Sequence, residues 1–116
     1  MQDPRTDEQL VHAINAGDDS AFEVLYRRHR DWVVQLAYRF TGHRDDALDV
    51  AQDTFIYLLG KFPGFRLTAK LTTFLYPAVK HIAIRKRDKS RRHVSDEHAP
   101  EPMFIATDPG DDLSQF

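Results

Sequence analysis

Apolar residues recur in this chain at intervals of three and four in four separate stretches, and nowhere do they alternate long enough to build a strand. That period puts them on one face of a helix, so the chain must fold by packing helices. Thr6 and Gln9, three apart, form a capping-box pattern, followed by Leu10, Val11 and Ile14 on one face and a stop at Gly17. Asp18, Asp19 and Ser20 open a second helix, with Ser20 and Glu23 as another capping pair. Its inward set is Phe22, Leu25, Tyr26, Val33, Leu36, Ala37 and Phe40, interrupted at His29, and Gly42 ends it. Asp45 or Asp46 starts a third helix, which places carboxylates at the positive end of its dipole. Ala47, Val50, Ala51, Leu58 and Phe62 form its inward stripe, and Pro63-Gly64 stops it. Residues 65–70 read as a loop. From about Leu71 a fourth helix turns Leu71, Phe74, Leu75, Ala78, Val79, Ile82 and Ala83 inward, with Pro77 marking its first turn or a kink.

The expected fold is therefore all-α, a compact bundle of about four helices over residues 5–92. Residues 93–116 hold three prolines, six acids and no apolar periodicity, and read as a disordered acidic linker or tail. At 116 residues one core is expected. The absence of cysteine excludes disulfides, thiolate metal sites and a cysteine nucleophile. No apolar run approaches the roughly 20 residues that span a bilayer. The polar, acidic start Met1 to Glu8 does not resemble a signal peptide, so a cytoplasmic protein with no membrane association is expected.

The net charge of −2 conceals a segregation of charge. Residues 65–92 carry nine Lys and Arg against the single acid Asp88, whereas residues 1–64 and 93–116 are both net acidic. The run from Lys80 to Arg92 continues an amphipathic helix, and a cationic row on such a scaffold suits a phosphate backbone. The plainer reading is a solvated helix end, its cations favoured by the C-terminal dipole. Phe62, Phe65, Phe74 and Tyr76 lie just before this run, interleaved with Arg66 and Lys70. Aromatic faces beside cations can stack unpaired bases. By helical phase Phe62 and Phe74 belong to the core, which leaves Phe65 and Tyr76 as the rings expected to be exposed.

The third helix also has an outward face. Asp49, Gln52, Asp53 and Ile56 share it, with Tyr57 and Leu59 nearby, so apolar groups rimmed by polar ones suggest a partner surface. A solvated face with stray hydrophobes is the bland alternative. A divalent-cation site at Asp49 and Asp53 is a sharper one. Catalysis of that kind needs a second carboxylate pair, and the second helix offers only Glu23 and Asp31, eight apart. The six histidines show no metal-binding spacing, and the serines suggest no nucleophile. No cofactor, metal or enzymatic activity is expected.

The order of these features is similar to that of bacterial sigma factors of the extracytoplasmic-function group. Asp46-Ala47-Leu48-Asp49-Val50-Ala51-Gln52-Asp53-Thr54-Phe55-Ile56-Tyr57-Leu58 resembles their region 2.2, which often reads D-A-E-D-V-x-Q-E/D-x-F-x-x-L. Gly17-Asp18, Ala21-Phe22 and Leu25-Tyr26 resemble the group's opening G-D-x-x-A-F-x-x-L-Y. Phe65-Arg66, then Phe74-Leu75-Tyr76 before a basic helix, resemble its F-R and W-L-Y segments of regions 2.3 and 2.4. The three motifs are collinear over about residues 6–92.

The resemblance implies a region 2 domain that binds core RNA polymerase and recognises and melts the minus-ten promoter element. Asp49, Gln52 and Asp53, with Ile56 and Leu59 as apolar contacts, would meet the clamp helices of the largest polymerase subunit. Phe65, Arg66, Lys70, Thr72, Tyr76, Lys80, His81, Arg85, Lys86, Arg87 and Lys89 would bind promoter DNA as the single-stranded non-template strand. Within that set, His81 and the loop from Leu67 to Thr72 match the place where the family captures a flipped base. An anti-sigma factor would be a further partner. This chain departs from the pattern at Phe74 where the family has Trp, at His81 where it has Asn, in the Leu67-Thr68-Ala69 loop and at Pro77. The helix-turn-helix domain that reads the minus-thirty-five element in the family has no counterpart here, which suggests part of a longer protein, or a natural single-domain relative. The alternatives are an interaction module that keeps the fold without initiating transcription, and a helical metal-dependent phosphohydrolase.

Overall fold

The computed structural model describes residues 3–95, with side chains through Lys89, and within them the chain is helical apart from its connections. The helices are α1 (Asp7–Asn15), α2 (Asp19–Thr41), α3 (Arg44–Leu59) and α4 (Leu71–Ser95). Helix α2 packs against the other three, and α3 also packs on α4. The core between them is almost wholly aliphatic: Leu10, Leu25, Val33, Val50, Leu58, Leu75 and Val79 are fully buried. No helix among the described residues is long and apolar enough to cross a membrane. The expected tail over 93–116 lies almost entirely outside the described residues.

The start of α1 matches its capping pattern. The Thr6 hydroxyl accepts from the Gln9 amide at 3.1 Å, and the Gln9 side chain accepts from the Thr6 amide at 2.8 Å. The α2 cap differs from the expectation: Asp18 is the N-cap, and its carboxylate accepts from the Ser20 and Ala21 amides and from the Ser20 hydroxyl. A charged carboxylate outcompetes a hydroxyl for orphan amides, so Ser20 is drawn into the first turn and Glu23 pairs instead with Arg27. The Ser20 hydroxyl, with the two amides, holds the Asp18 carboxyl below the ordinary carboxylate range, and the shift survives an opposing desolvation cost. Gly42, at φ 77°, closes α2 as expected.

The interruption at His29 is filled by a polar contact. Its imidazole lies 2.9 Å from the Asp7 carboxylate, whose other oxygen accepts from Arg28 at 3.0 Å. One acidic residue at the start of α1 thus fastens that helix to the middle of α2.

Helix α3 ends earlier than Pro63-Gly64. It stops at Leu59, and the Gly60, Lys61 and Phe62 amides close the end onto the last-turn carbonyls. Phe62 therefore packs against the core from the turn rather than from the helical stripe. Thr54 and Phe55 are buried where the expected stripe had a gap, and the Thr54 hydroxyl is satisfied by the Val50 carbonyl at 2.8 Å. Helix α4 runs through Pro77, which lies beyond the first turn. The first-turn alternative is thereby removed.

Candidate functional site

Two surfaces carry the residues singled out from the sequence. On α3, Ala47, Val50, Ala51, Thr54, Phe55 and Leu58 turn inward, so Asp49, Gln52, Asp53, Ile56 and Leu59 all point out. Ile56 is 58% exposed and Leu59 49%, although both are aliphatic. Gln52, Ile56 and Leu59 form one wall of a groove between α3 and α2 of about 550 Å³. The opposite wall is Phe22, Tyr26, Arg30 and Val34, four apart along α2. Phe22 and Tyr26 are half-buried there, edge-on to Phe62 and Phe55 respectively. Sequence reasoning placed both rings in the core and passed over Arg30 and Val34; the repeat of four along α2 was the available signal.

Asp49 does not line this groove. Its carboxylate accepts from the Lys86 ammonium of α4 at 3.1 Å, so a cation from the basic run is held by the acidic face of α3. Asp49 and Asp53 find no third ligand, and among the described residues no three carboxylates or imidazoles gather as a divalent cation requires.

On α4, Tyr76, Lys80, His81 and Arg85 lie together along a second groove of about 510 Å³, with Pro77 and Ile84 as its apolar floor. Tyr76 is 44% exposed and edge-on to Phe40 at 6.2 Å, which fixes the ring while leaving part of it open. Lys89 follows Arg85 one turn on and is exposed. Two further described cations have acidic neighbours. Lys86 faces Asp49, and the Arg87 guanidinium lies 3.8 Å from Asp88. Successive residues of a helix point about 100° apart, so a contiguous run wraps around α4.

The connection between α3 and α4 holds the rest. Arg66 and Lys70 are exposed and Thr72 is half-buried. Lys70 and Thr72, with Leu67 and Ala69, line a third groove of about 430 Å³, closed on the other side by Thr6, Asp7, Glu8 and His29. Phe65 is not the open ring expected. It sits between Phe62 and Phe74, with centroids 5.4 and 5.0 Å away, and packs against the core. Phe74 in turn stacks on Tyr57 at 6.0 Å and 8°, and the Lys61 ammonium lies 4.9 Å over the Tyr57 ring. Of the two rings proposed for stacking, Tyr76 alone is exposed.

Sequence reasoning also missed Asn15. Its amide donates to the Phe65 carbonyl at 2.9 Å and accepts from the Gly64 and Phe65 amides at 2.6 and 3.1 Å. An Asn at a helix end carried no periodic signal that could have revealed a contact fifty residues away.

The family model for sigma-70 region 2 matches residues 25–93. The chain is similar to the RNA polymerase sigma-H factor of Pseudomonas aeruginosa, at 32% identity over 98 residues, covering 80% of this chain and 51% of that protein. It is 28% identical over 84 residues to the ECF RNA polymerase sigma factor SigW of Bacillus subtilis, covering 72% and 45%. With the ECF RNA polymerase sigma-E factor of Haemophilus influenzae it shares 34% over 76 residues, covering 66% and 40%. The chain thus spans about half the length, or less, of these relatives. No solved structure matches significantly.

Proposed function

The chain belongs to the sigma-70 region 2 family, in the extracytoplasmic-function group, and from that premise we propose that it binds core RNA polymerase and captures the opened minus-ten promoter element during transcription initiation. The observation that carries this reading is the separation of two unlike surfaces on adjacent helices. One is acidic and aliphatic on α3, and the other is cationic with an open tyrosine on α4.

Asp49, Gln52 and Asp53 meet the clamp helices of the largest polymerase subunit, with Ile56 and Leu59 as the apolar contacts that lose water on docking. Lys80, Arg85 and Lys89 contact phosphates of the single-stranded non-template strand, and Tyr76 stacks a base. Arg66 and Arg87 add phosphate contacts, whereas Lys86 is held by Asp49. Phe65 supports the loop from within the aromatic cluster. His81, with Lys70 and Thr72 at the loop groove, contributes to the choice of base. Melting is then the capture of unpaired bases by this surface, and the nucleotidyl chemistry stays in the polymerase. The domain is not itself an enzyme and acts in the cytoplasm with the transcription machinery. An anti-sigma factor covering either surface would silence it.

The direct test is assembly with core polymerase followed by binding to a promoter bubble. A complex that engages the polymerase and retains the single-stranded minus-ten strand is expected. Polymerase binding without DNA capture would leave an adaptor role, and no polymerase binding would overturn the proposal.

A further inference from the structure

We infer that Asn15, at the end of α1, is a positioning residue that sets the geometry of the loop between α3 and α4, and through it the base preference of the domain. The inference rests on the reading of that loop as part of the DNA-contacting surface.

Residues 61–70 contain no regular secondary structure, so their backbone groups have no ladder to hold them. The far end of the segment is fixed where the Thr73 and Phe74 amides close onto the Lys70 carbonyl. The near end is fixed by Asn15. Its one carboxamide takes both polar backbone groups of Phe65 and the Gly64 amide, satisfying three backbone groups from outside the segment. Gly64 is at φ 101°, a conformation other residues rarely adopt, so the turn delivers its amide to Asn15 only with glycine there. Phe65 is held twice, by its backbone on Asn15 and by its ring between Phe62 and Phe74.

The chain therefore leaves Phe65 in one direction, and the Leu67, Ala69, Lys70 and Thr72 positions of the third groove follow from it. Asn15 is not among the residues that line the groove and acts through the loop. A carboxamide carries its donor and its acceptor side by side on one carbon, which suits the adjacent amides and carbonyl here. Aspartate keeps the oxygen that accepts from Gly64 and Phe65 but sets a charged acceptor against the Phe65 carbonyl, where the amide had donated at 2.9 Å. Alanine loses all three bonds.

The experiment uses the full chain bound to core RNA polymerase, and bubble templates carrying each base in turn at the captured position. The wild type is expected to discriminate between the best and worst base by about tenfold or more, as specific base contacts do. Asn15→Ala should reduce this to about threefold or less. Its polymerase affinity should stay unchanged, since the α3 face does not involve the loop anchor, and its salt slope should fall by no more than the roughly 0.7 of a single phosphate contact, that of Arg66. Asn15→Asp, which sets an acceptor against the Phe65 carbonyl, should likewise lower the discrimination below that of the wild type, and it carries the test if the alanine variant proves unstable by circular dichroism. Hydrogen exchange at the Gly64 and Phe65 amides should quicken in Asn15→Ala. A wild type that discriminates and an alanine variant that discriminates equally would overturn the role of Asn15 alone. A wild type with no base preference, while polymerase binding persists, would overturn the loop reading and this inference with it.

Discussion

Replacing Ile56 and Leu59 together by alanine tests the α3 surface where it departs most from an ordinary solvated face. Both side chains are about half exposed in the isolated domain, at 58% and 49%. Complete burial of such a side chain contributes about 1.5–3 kcal/mol, so covering the exposed half is worth about 1 kcal/mol for each residue. The pair should then contribute about 2 kcal/mol to docking, which corresponds to roughly thirtyfold in Kd. The fold should hardly notice, because substitutions on an exposed face away from caps and core cost about 0.5 kcal/mol or less. Labelled chain titrated with core RNA polymerase and followed by fluorescence anisotropy gives the affinity, and urea unfolding followed by circular dichroism gives the stability. Weakened binding with an unchanged urea midpoint is the expected result. Affinity within about threefold of wild type, with the fold intact, would refute the reasoning, since burial of these two side chains could not then form part of the interface.

Three further outcomes are expected. Replacing Arg85 and Arg87 by alanine should flatten the dependence of single-stranded DNA affinity on salt by about 0.7 per lost phosphate contact, with little change in base preference; an unchanged slope in a salt titration would place the strand elsewhere. Leu58→Ala, at a fully buried position where α3 meets the core, should destabilise the domain by about 2–5 kcal/mol in urea unfolding. The Asp18 carboxyl is held below its ordinary range chiefly by the Ser20 hydroxyl, so its folded pKa lies below the unfolded one and its contribution is present above that unfolded value. It is lost as pH falls below about 4, and Asp18→Asn, which keeps a capping oxygen but does not titrate, should show a shallower loss of urea midpoint across that window; parallel curves for the two proteins would contradict the assignment.

Local pattern carried much of the fold. The spacing of apolar residues located all four helices, and Thr6 with Gln9 and Gly42 marked boundaries that depend on bonds within a few residues. The outward stripe Asp49, Gln52, Asp53 and Ile56 was equally legible, because the position of a residue around a regular helix follows from its number alone. The same logic failed where two local signals competed. Asp18 and Ser20 could each cap α2, and Pro63-Gly64 stood beyond a helix that had already closed at Gly60.

What only the tertiary structure decided are the contacts between residues far apart in the chain. Phe65 and Tyr76 are both aromatic residues beside a basic helix, yet the first is enclosed by Phe62 and Phe74 and the second remains open. Lys86 looked like a member of the cationic row until packing of α4 on α3 placed it against Asp49. The groove beside Ile56 exists because α2 and α3 pack with their half-buried side chains facing across a gap, and Asn15 reaches Gly64 only because α1 ends beside that turn. Periodicity specifies which face of a helix turns inward, but it carries no information about the distance and angle at which two helices meet. Those are set by how side chains from both interdigitate, and they determine which polar and aromatic groups finally come within reach of one another.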